Sequence, residues 1–437
     1  MSLRDTAAWE KADKAVLWHP FTPMRQWCAA DHHPTVLCRG EGVWLYDTSS
    51  NRYFDGNSSI WTNIHGHAHP RLLEALARQS RQLCHSSFLG ATNVPAIELA
   101  ETLVASTQPS PLKRVFYSDN GSTAIEVALK MTCQYHQMTQ NARKRVFISF
   151  DKAYHGDTMG ASSLGGVPLF FDRFSEYHFP SKRVRNFMEL DDMSEEEVAD
   201  VAAVVIEPVI QGVAGMRPWP VGMLRQLREW CDRHQVLLIF DEVMTGFGRT
   251  GTLYACQREG VWPDFLCLAK GLTGGTMPLA ATLMTEPIYE AFLGEFAEQK
   301  TFYYGHSYTG NPLGCAVALE SMRIFDDEST LLNVNNRAKE LEMIYKNYLK
   351  ESVYVSEIRQ VGLISAVQIV RDRATGKCYS PEERIGARIC EAAKARGLMT
   401  RNILDAIIFM PPPCVKQDDM SFAVERLFEA IDATLGR

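Results

Sequence analysis

Short runs of apolar residues recur through the middle of the chain, with amphipathic stretches between them. The runs are rich in Val, Ile, Leu and Phe and do not alternate with polar residues, which predicts strands buried on both faces. They lie at 114–117, 145–150, 202–206, 236–240 and 265–269. Amphipathic periodicity predicts helices at 70–83, 122–138 and 223–234. This alternation is typical of an α/β fold with a doubly wound, mostly parallel sheet.

The two ends of the chain follow a different pattern. Residues 36–55 predict a small antiparallel unit, and residues 331–349 predict a long helix that is followed by further strands and a helix. No linker rich in Pro, Gly or Ser separates the regions. We therefore expect a large domain at 65–330 and a smaller α+β domain built from 1–64 together with 331–437.

Composition and charge narrow the classes of function. The 437 residues are 46% hydrophobic and 22% charged, which is ordinary for a globular protein. The net charge is −7 without a basic block, so we expect no nucleic acid and no membrane as partners. The first twenty residues do not form a signal peptide, and no apolar run is long enough to span a bilayer.

The eleven cysteines form no C-x-x-C pair and no zinc-ligand spacing. We therefore expect reduced thiols, a cytoplasmic location and no metal site.

Ligands of open α/β sheets bind beyond the carboxyl ends of the strands, so the residues after each apolar run are candidates for a site. Lys270 directly follows the run 265–269 and precedes Gly271. A single lysine at such a place usually extends to solvent. A partly desolvated lysine, however, has a lowered pKa and can form a Schiff base with a carbonyl compound.

Asp241 follows the most apolar run of the chain, 236–240, and Val243 comes two residues later. A carboxylate here can cap a turn, but it can also keep a buried pyridine nitrogen protonated. Such a ring acts as an electron sink. On an extended chain, Val243 would share the face of Asp241 and pack against the ring.

The remaining strand ends supply further candidate ligands of one phosphorylated cofactor. Gly121 and Ser122 open a predicted helix, whose free N–H groups and dipole favour an anion. Tyr154 follows another run and could stack on a flat ring. Glu207 ends a further strand. Each signal is weak alone, and their convergence on one sheet edge carries the prediction.

Two other motifs have competing interpretations. Residues 246–251 match the dinucleotide fingerprint G-x-G-x-x-G, which keeps an NAD-dependent oxidoreductase as an alternative. The fingerprint must open a crossover helix, and the following residues are interrupted by Gly and Pro. His65, His67 and His69 alternate as metal ligands on a strand would, but their Gly and Pro neighbours indicate a loop.

The segments LLIFDEVMTGFGRTG at 237–251 and PDFLCLAKGLTGG at 263–275 resemble the signature of the class III aminotransferases of fold type I. Within that family, the chain is most similar to the members that act in biotin biosynthesis. The similar segments are 18–24, 54–67, 116–131, 153–161, 305–316 and Arg401 before 407–412.

The resemblance implies a pyridoxal phosphate enzyme with a ping-pong mechanism. Lys270 would hold the cofactor as a Schiff base and move the proton, and Asp241 would hold the pyridinium. Tyr154 would stack on the ring, while Gly121 and Ser122 would bind the phosphate. Val243 and Glu207 would also lie at the cofactor.

The resemblance also implies a homodimer with a shared active site and two small-molecule substrates. Ser307 would reach the phosphate from the neighbouring subunit. Arg401 would bind the carboxylate of the acceptor 7-keto-8-aminopelargonate, near Trp61 and Gly305.

The amino donor stays open, because the chain has Phe21 and Ile60 where users of S-adenosylmethionine have Tyr and Trp. These residues are more typical of lysine-using members. The cofactor residues would equally suit a class III ω-amino acid aminotransferase linked to pyruvate or 2-oxoglutarate, or an aminomutase. A non-catalytic binding module is a further hypothesis, which the convergence of polar strand ends disfavours.

Overall fold

The computed structural model describes residues 5–139 and 141–436, with no description of the side chains of 349–351. Its α-helical segments are Thr6–Val16, Met24–Trp27, Ser58–Trp61, Pro70–Ser80, Val94–Ser106, Gly121–Met138, Met159–Ser163, Pro168–Phe171, Phe187–Asp191, Glu195–Val198, Met223–His234, Glu286–Ala291, Pro312–Asp327, Thr330–Glu351, Ile385–Lys394 and Gln417–Leu435. Short 3₁₀ helices lie at Asp172–Tyr177, Ala255–Arg258, Lys270–Thr273, Phe296–Glu298 and Pro381–Glu383.

A seven-stranded sheet forms the centre of the molecule. From edge to edge its strands are Leu112–Ser118, Ala280–Thr285, Phe265–Leu268, Leu237–Asp241, Val201–Ile206, Val146–Phe150 and Ser181–Val184. Ala280–Thr285 is antiparallel to both neighbours, and the other neighbouring pairs are parallel. The predicted α/β fold with a mostly parallel sheet is confirmed. The antiparallel strand was not predicted.

The central strands are apolar because helices cover both faces of the sheet. Every residue of Val201–Ile206 and of Phe265–Leu268 is buried. The helix Met223–His234 has the predicted bounds. The helix Pro70–Ser80 ends three residues before the predicted 83, where the chain turns.

Smaller sheets are formed by the two ends of the chain. One has the strands Leu37–Glu41, Trp44–Asp47, Arg52–Asp55 and Leu398–Met399, and the next has Val355–Val361, Ile364–Ile369, Ala406–Phe409 and Asn402–Ile403. A separate two-stranded ribbon in the middle of the chain pairs Ile210–Gln211 with Arg217–Pro218. One hydrophobic core joins Val43 and Phe54 to residues of the carboxyl-terminal region such as Leu341 and Phe409. A small domain made from both ends would have such a core, and its proposed boundaries stay a prediction.

Within residues 5–139 and 141–436, no helix has the length and apolar character needed to cross a membrane.

Candidate functional site

A cavity of about 450 Å³ opens at the carboxyl ends of the central strands. Its walls come from the ends of several strands and from the loops that follow them. Among its lining residues are the predicted site residues Trp61, Gly121, Ser122, Tyr154, Glu207, Asp241, Val243 and Lys270. Because parallel strands bring their carboxyl ends to one edge, residues far apart in sequence meet in a volume suited to a small ligand.

Lys270 is the first residue of a 3₁₀ turn that begins one residue after the strand Phe265–Leu268. The pKa of its amine is lowered to about 8, mainly because the amine is buried; Asp241 and Glu207 oppose this shift, and Arg249 and Arg401 contribute to it. A substantial fraction of such an amine is neutral near physiological pH, as attack on a carbonyl carbon requires.

Asp241 ends the strand Leu237–Asp241, and its buried carboxylate is held on both oxygens. Oδ1 accepts a hydrogen bond from the backbone N–H of Val243 at 3.1 Å, and Oδ2 lies 2.7 Å from His155 Nδ1. The side chain of His155 is fully buried, and its Nε2 has no hydrogen-bond partner within the described residues. The carboxylate is thus fixed in orientation at the cavity wall.

His155 was missed as a candidate site residue, although it follows Tyr154 in the loop after a central strand. The sequence showed a histidine at a strand end, which is equally typical of a packing residue. Its partnership with Asp241 spans 86 positions and could not be read from spacing.

Glu207 lies at the cavity with both carboxylate oxygens close to backbone N–H groups. Gly212 N donates to Oε1 at 2.8 Å, and Tyr154 N donates to Oε2 at 3.4 Å. The pKa of Glu207 is raised to about 7, mainly because the carboxyl group is buried; His155 opposes this shift and Asp241 contributes to it. Glu207 therefore links the loop that carries Tyr154 to the strand end that it occupies.

The amino-terminal end of the helix Gly121–Met138 forms a cradle for an anion. Asn120 caps the helix by accepting from Thr123 N, and Ser122 Oγ accepts from Asp157 N at 3.1 Å, which leaves its O–H available to donate. A Cβ on Gly121 would lie 2.5 Å from Val243 Cγ1. Glycine is therefore required where the start of this helix packs against the valine.

Trp61 forms another wall of the cavity through an unusual backbone turn. Residues Ser58 to Trp61 all have positive φ, a conformation that costs about 1–2 kcal/mol per residue. Asp55 accepts from Ser59 N at 2.8 Å and from Ser59 Oγ at 2.7 Å, which helps to hold the turn. The Trp61 ring lies under Lys270, whose Nζ is 4.8 Å from the ring centroid.

Arg401 is half-buried beside the same tryptophan, with Cζ 5.9 Å from the Trp61 ring centroid. Among the residues that the structure describes, no side-chain or backbone acceptor binds its guanidinium. Burial lowers its pKa, yet a guanidinium stays charged at neutral pH. Arg401 thus offers a free fork of donors near the cavity.

Besides Arg401, four predicted site residues do not line the cavity of the single chain. Phe21 is 68% exposed, with its ring 5.5 Å from Phe170, and Ile60 is 49% exposed. Gly305 and Ser307 are exposed in an irregular segment. A contact from these residues to a ligand would need another chain or a movement of their loops.

Val243 lines the cavity, but the extended geometry predicted for it was wrong. The chain turns immediately after Asp241 instead of continuing as an extended strand. The turn is set by the hydrogen bond from Val243 N to Asp241 Oδ1.

The two ambiguous motifs have other roles in the fold. Residues 246–251 form successive turns before the short 3₁₀ helix Ala255–Arg258, where a dinucleotide fold would have a crossover helix. His65, His67 and His69 contact Ser321, Asp55 and Glu328, respectively.

The residues of the cavity fit a phosphorylated pyridine aldehyde. The lysine amine, the fixed aspartate and the glycine-lined anion cradle supply a nucleophile, a partner for a ring cation and donors for a phosphate. His155 Nε2 has no hydrogen-bond partner within the described residues, so this wall of the cavity has a polar atom that can still bind a ligand or water.

Comparison with known proteins gives a consistent result. Residues 27–431 match the family model described as aminotransferase class-III. The adenosylmethionine-8-amino-7-oxononanoate aminotransferase of Geobacter sulfurreducens is 43% identical over 99% of both chains. That of Aquifex aeolicus is 39% identical over 98% of both.

Solved structures are similar over nearly the whole chain. The adenosylmethionine-8-amino-7-oxononanoate aminotransferase of Methanocaldococcus jannaschii gives a TM-score of 0.95 at 38% identity and covers 98% of this chain and 99% of its own. A PLP-bound amine transaminase from an uncultivated Pseudomonas species gives 0.90 at 30% identity, with 95% and 98% covered.

Proposed function

The chain belongs to the class III aminotransferases, and from that membership we propose that it transfers an amino group to 8-amino-7-oxononanoate (7-keto-8-aminopelargonate) in biotin biosynthesis, with pyridoxal phosphate as cofactor. The observation that carries the proposal is the meeting of Lys270, Asp241 and the anion cradle in one cavity. The full-length similarity to enzymes of that activity supports the choice of substrate.

Pyridoxal phosphate, when bound, supplies an electron sink for the carbon that carries the amine. Lys270 would bind the cofactor covalently and carry a proton on Nζ. Its lowered pKa lets Nζ give up and take back that proton near neutral pH.

The other residues of the cavity would bind and orient the cofactor. Asp241, held by His155, would face the ring nitrogen, and Gly121 and Ser122 would hold the phosphate. The Tyr154 hydroxyl donates to Asp157 Oδ2 at 2.7 Å, which fixes its ring at the cavity.

Arg401 is proposed to bind the carboxylate of the acceptor, so its replacement should raise the KM for 8-amino-7-oxononanoate. We expect Arg401→Ala to raise this KM by about 10- to 100-fold, because hydrogen bonds to a charged group contribute about 1.5–3 kcal/mol. Arg401→Lys should be nearly as impaired, since lysine lacks the planar fork. Steady-state kinetics with varied acceptor measure the effect. Arg396→Lys is the matched control, and an unchanged KM in Arg401→Ala would refute the role.

The proposed activity is tested with purified protein, pyridoxal phosphate and defined substrates. Incubation with 8-amino-7-oxononanoate and either S-adenosylmethionine or lysine should yield 7,8-diaminononanoate, detected by mass spectrometry. The exposed Phe21 and Ile60 leave both donors in the test. Amination of pyruvate or 2-oxoglutarate from an ω-amine, without amination of 8-amino-7-oxononanoate, would reassign the chain to another activity of the family.

A homodimer is proposed on two features of the single chain. Ser307 stands in an exposed segment next to large exposed side chains, Tyr303 and Tyr308, and Trp18 and Leu89 are also largely exposed. Such apolar surface is typical of an interface.

The eleven cysteines are all unpaired, which supports a reducing, cytoplasmic location.

A further inference from the structure

His306 lies in the irregular segment after Phe302 and is hydrogen-bonded through both ring nitrogens. Nδ1 is 2.7 Å from Asp119 Oδ2, and Nε2 is 3.0 Å from the Tyr304 hydroxyl. A carboxylate only accepts, so Nδ1 donates, and in the neutral ring the Tyr304 hydroxyl donates to Nε2. Thr309 Oγ1 accepts from His306 N at 2.9 Å and fixes the backbone. The imidazole is therefore locked in one orientation.

Asp119 is a lining residue of the cavity, and it immediately precedes the helix cap Asn120. It thus brings a negative charge to the end of the cavity that is built for an anion. Aspartate is also a good partner for the free N–H groups at a helix start. A carboxylate free to rotate there would repel a phosphate and compete with it for the same donors.

We propose that His306 is a positioning residue that holds the Asp119 carboxylate away from the phosphate cradle. The proposal rests on the proposed binding of pyridoxal phosphate in this cavity. His306 would thereby strengthen cofactor binding through the phosphate group without touching the cofactor. The interaction joins positions 187 residues apart, so no local motif shows it.

The test is the affinity of the full-length protein, stripped of cofactor by dialysis, for pyridoxal phosphate and for pyridoxal, which lacks the phosphate. His306→Ala should weaken pyridoxal phosphate binding by about tenfold, which equals about 1.4 kcal/mol, and should leave pyridoxal binding unchanged. His306→Asn should retain near-normal affinity, because its Nδ2–H can replace the Nδ1–H donor. His306→Gln places its amide farther out and should resemble alanine.

A double-mutant cycle shows whether the effect passes through Asp119. In the Asp119→Asn background, His306→Ala should have little further effect, since no carboxylate remains to be held. His33→Ala, which removes a histidine–carboxylate pair outside the cavity, is the matched control.

The proposal would be overturned if His306→Ala lowered the affinities for pyridoxal and for pyridoxal phosphate equally. It would also be overturned if His306→Asn bound pyridoxal phosphate as weakly as His306→Ala, or if His306→Ala had its full effect in the Asp119→Asn background. Unfolding temperatures identify any variant that fails to fold. If His306→Ala fails to fold, the difference in pyridoxal phosphate affinity between His306→Asn and His306→Gln tests the proposal in its place. Failure of the unmodified protein to bind pyridoxal phosphate would instead overturn the proposed function.

Discussion

Replacement of Lys270 by alanine should lower turnover by at least about 10⁴-fold, because one side chain supplies both the covalent link to the cofactor and the proton transfer. No other described lysine lines the cavity. The neighbouring polar groups, Asp241 and Glu207, are already held by protein hydrogen bonds. Neither is an amine that could form the covalent link in its place.

The Lys270→Ala protein should remain folded and should still bind pyridoxal phosphate without a covalent bond, since the cradle at Gly121 and Ser122 is intact. Dialysis would then remove the cofactor more readily than from the unmodified protein. Lys113→Ala, which changes an exposed lysine, is the control for turnover. Substantial turnover by Lys270→Ala would contradict the proposed reaction.

Much of the central sheet and most of the cavity wall could be predicted from the sequence for one physical reason. Parallel strands buried on both faces are nearly continuous apolar runs, and their ends must meet at one edge. Lys270, Asp241 and Glu207 each follow such a run, so their proximity required no knowledge of long-range contacts. The same logic does not find Ala280–Thr285, whose direction in the sheet is set by pairing with Leu112–Ser118 and not by its own composition.

Other parts of the site depend on contacts between distant residues. The left-handed turn at Ser58–Trp61 contradicts local propensity, and it is held partly by a hydrogen bond from Ser58 Oγ to Met410 O, 352 positions away. Arg249 belongs to the segment that matches the dinucleotide fingerprint, yet its buried guanidinium donates to Ser58 Oγ and Asn63 O. The periodicity of the sequence does not predict such long-range hydrogen bonds.

Asp241→Asn should reduce the rate of the first half-reaction by about 100- to 1000-fold, the usual effect of removing one preorganised electrostatic group. Asparagine keeps the shape of the side chain, and its Oδ1 can still accept from Val243 N. Its Nδ2–H2 replaces the oxygen that faces His155 Nδ1, and it can donate to that nitrogen in the other imidazole tautomer. It loses the negative charge that would keep the ring nitrogen protonated and the cofactor an effective electron sink. Single-turnover absorbance of the bound cofactor, after addition of donor, measures this rate without product release.

The adjacent Glu242 provides a matched control, since it is also a buried carboxylate but faces away from the cavity. It accepts from Ala255 N at 2.7 Å and Cys256 N at 2.8 Å, and it holds the loop after the strand. Glu242→Gln places an amide against an N–H donor and should lower the free energy of unfolding by about 1–3 kcal/mol. Its single-turnover rate should stay close to that of the unmodified protein. If both variants lost rate equally, burial of charge beside the sheet, and not the orientation of Asp241 toward the ring, would account for the chemistry.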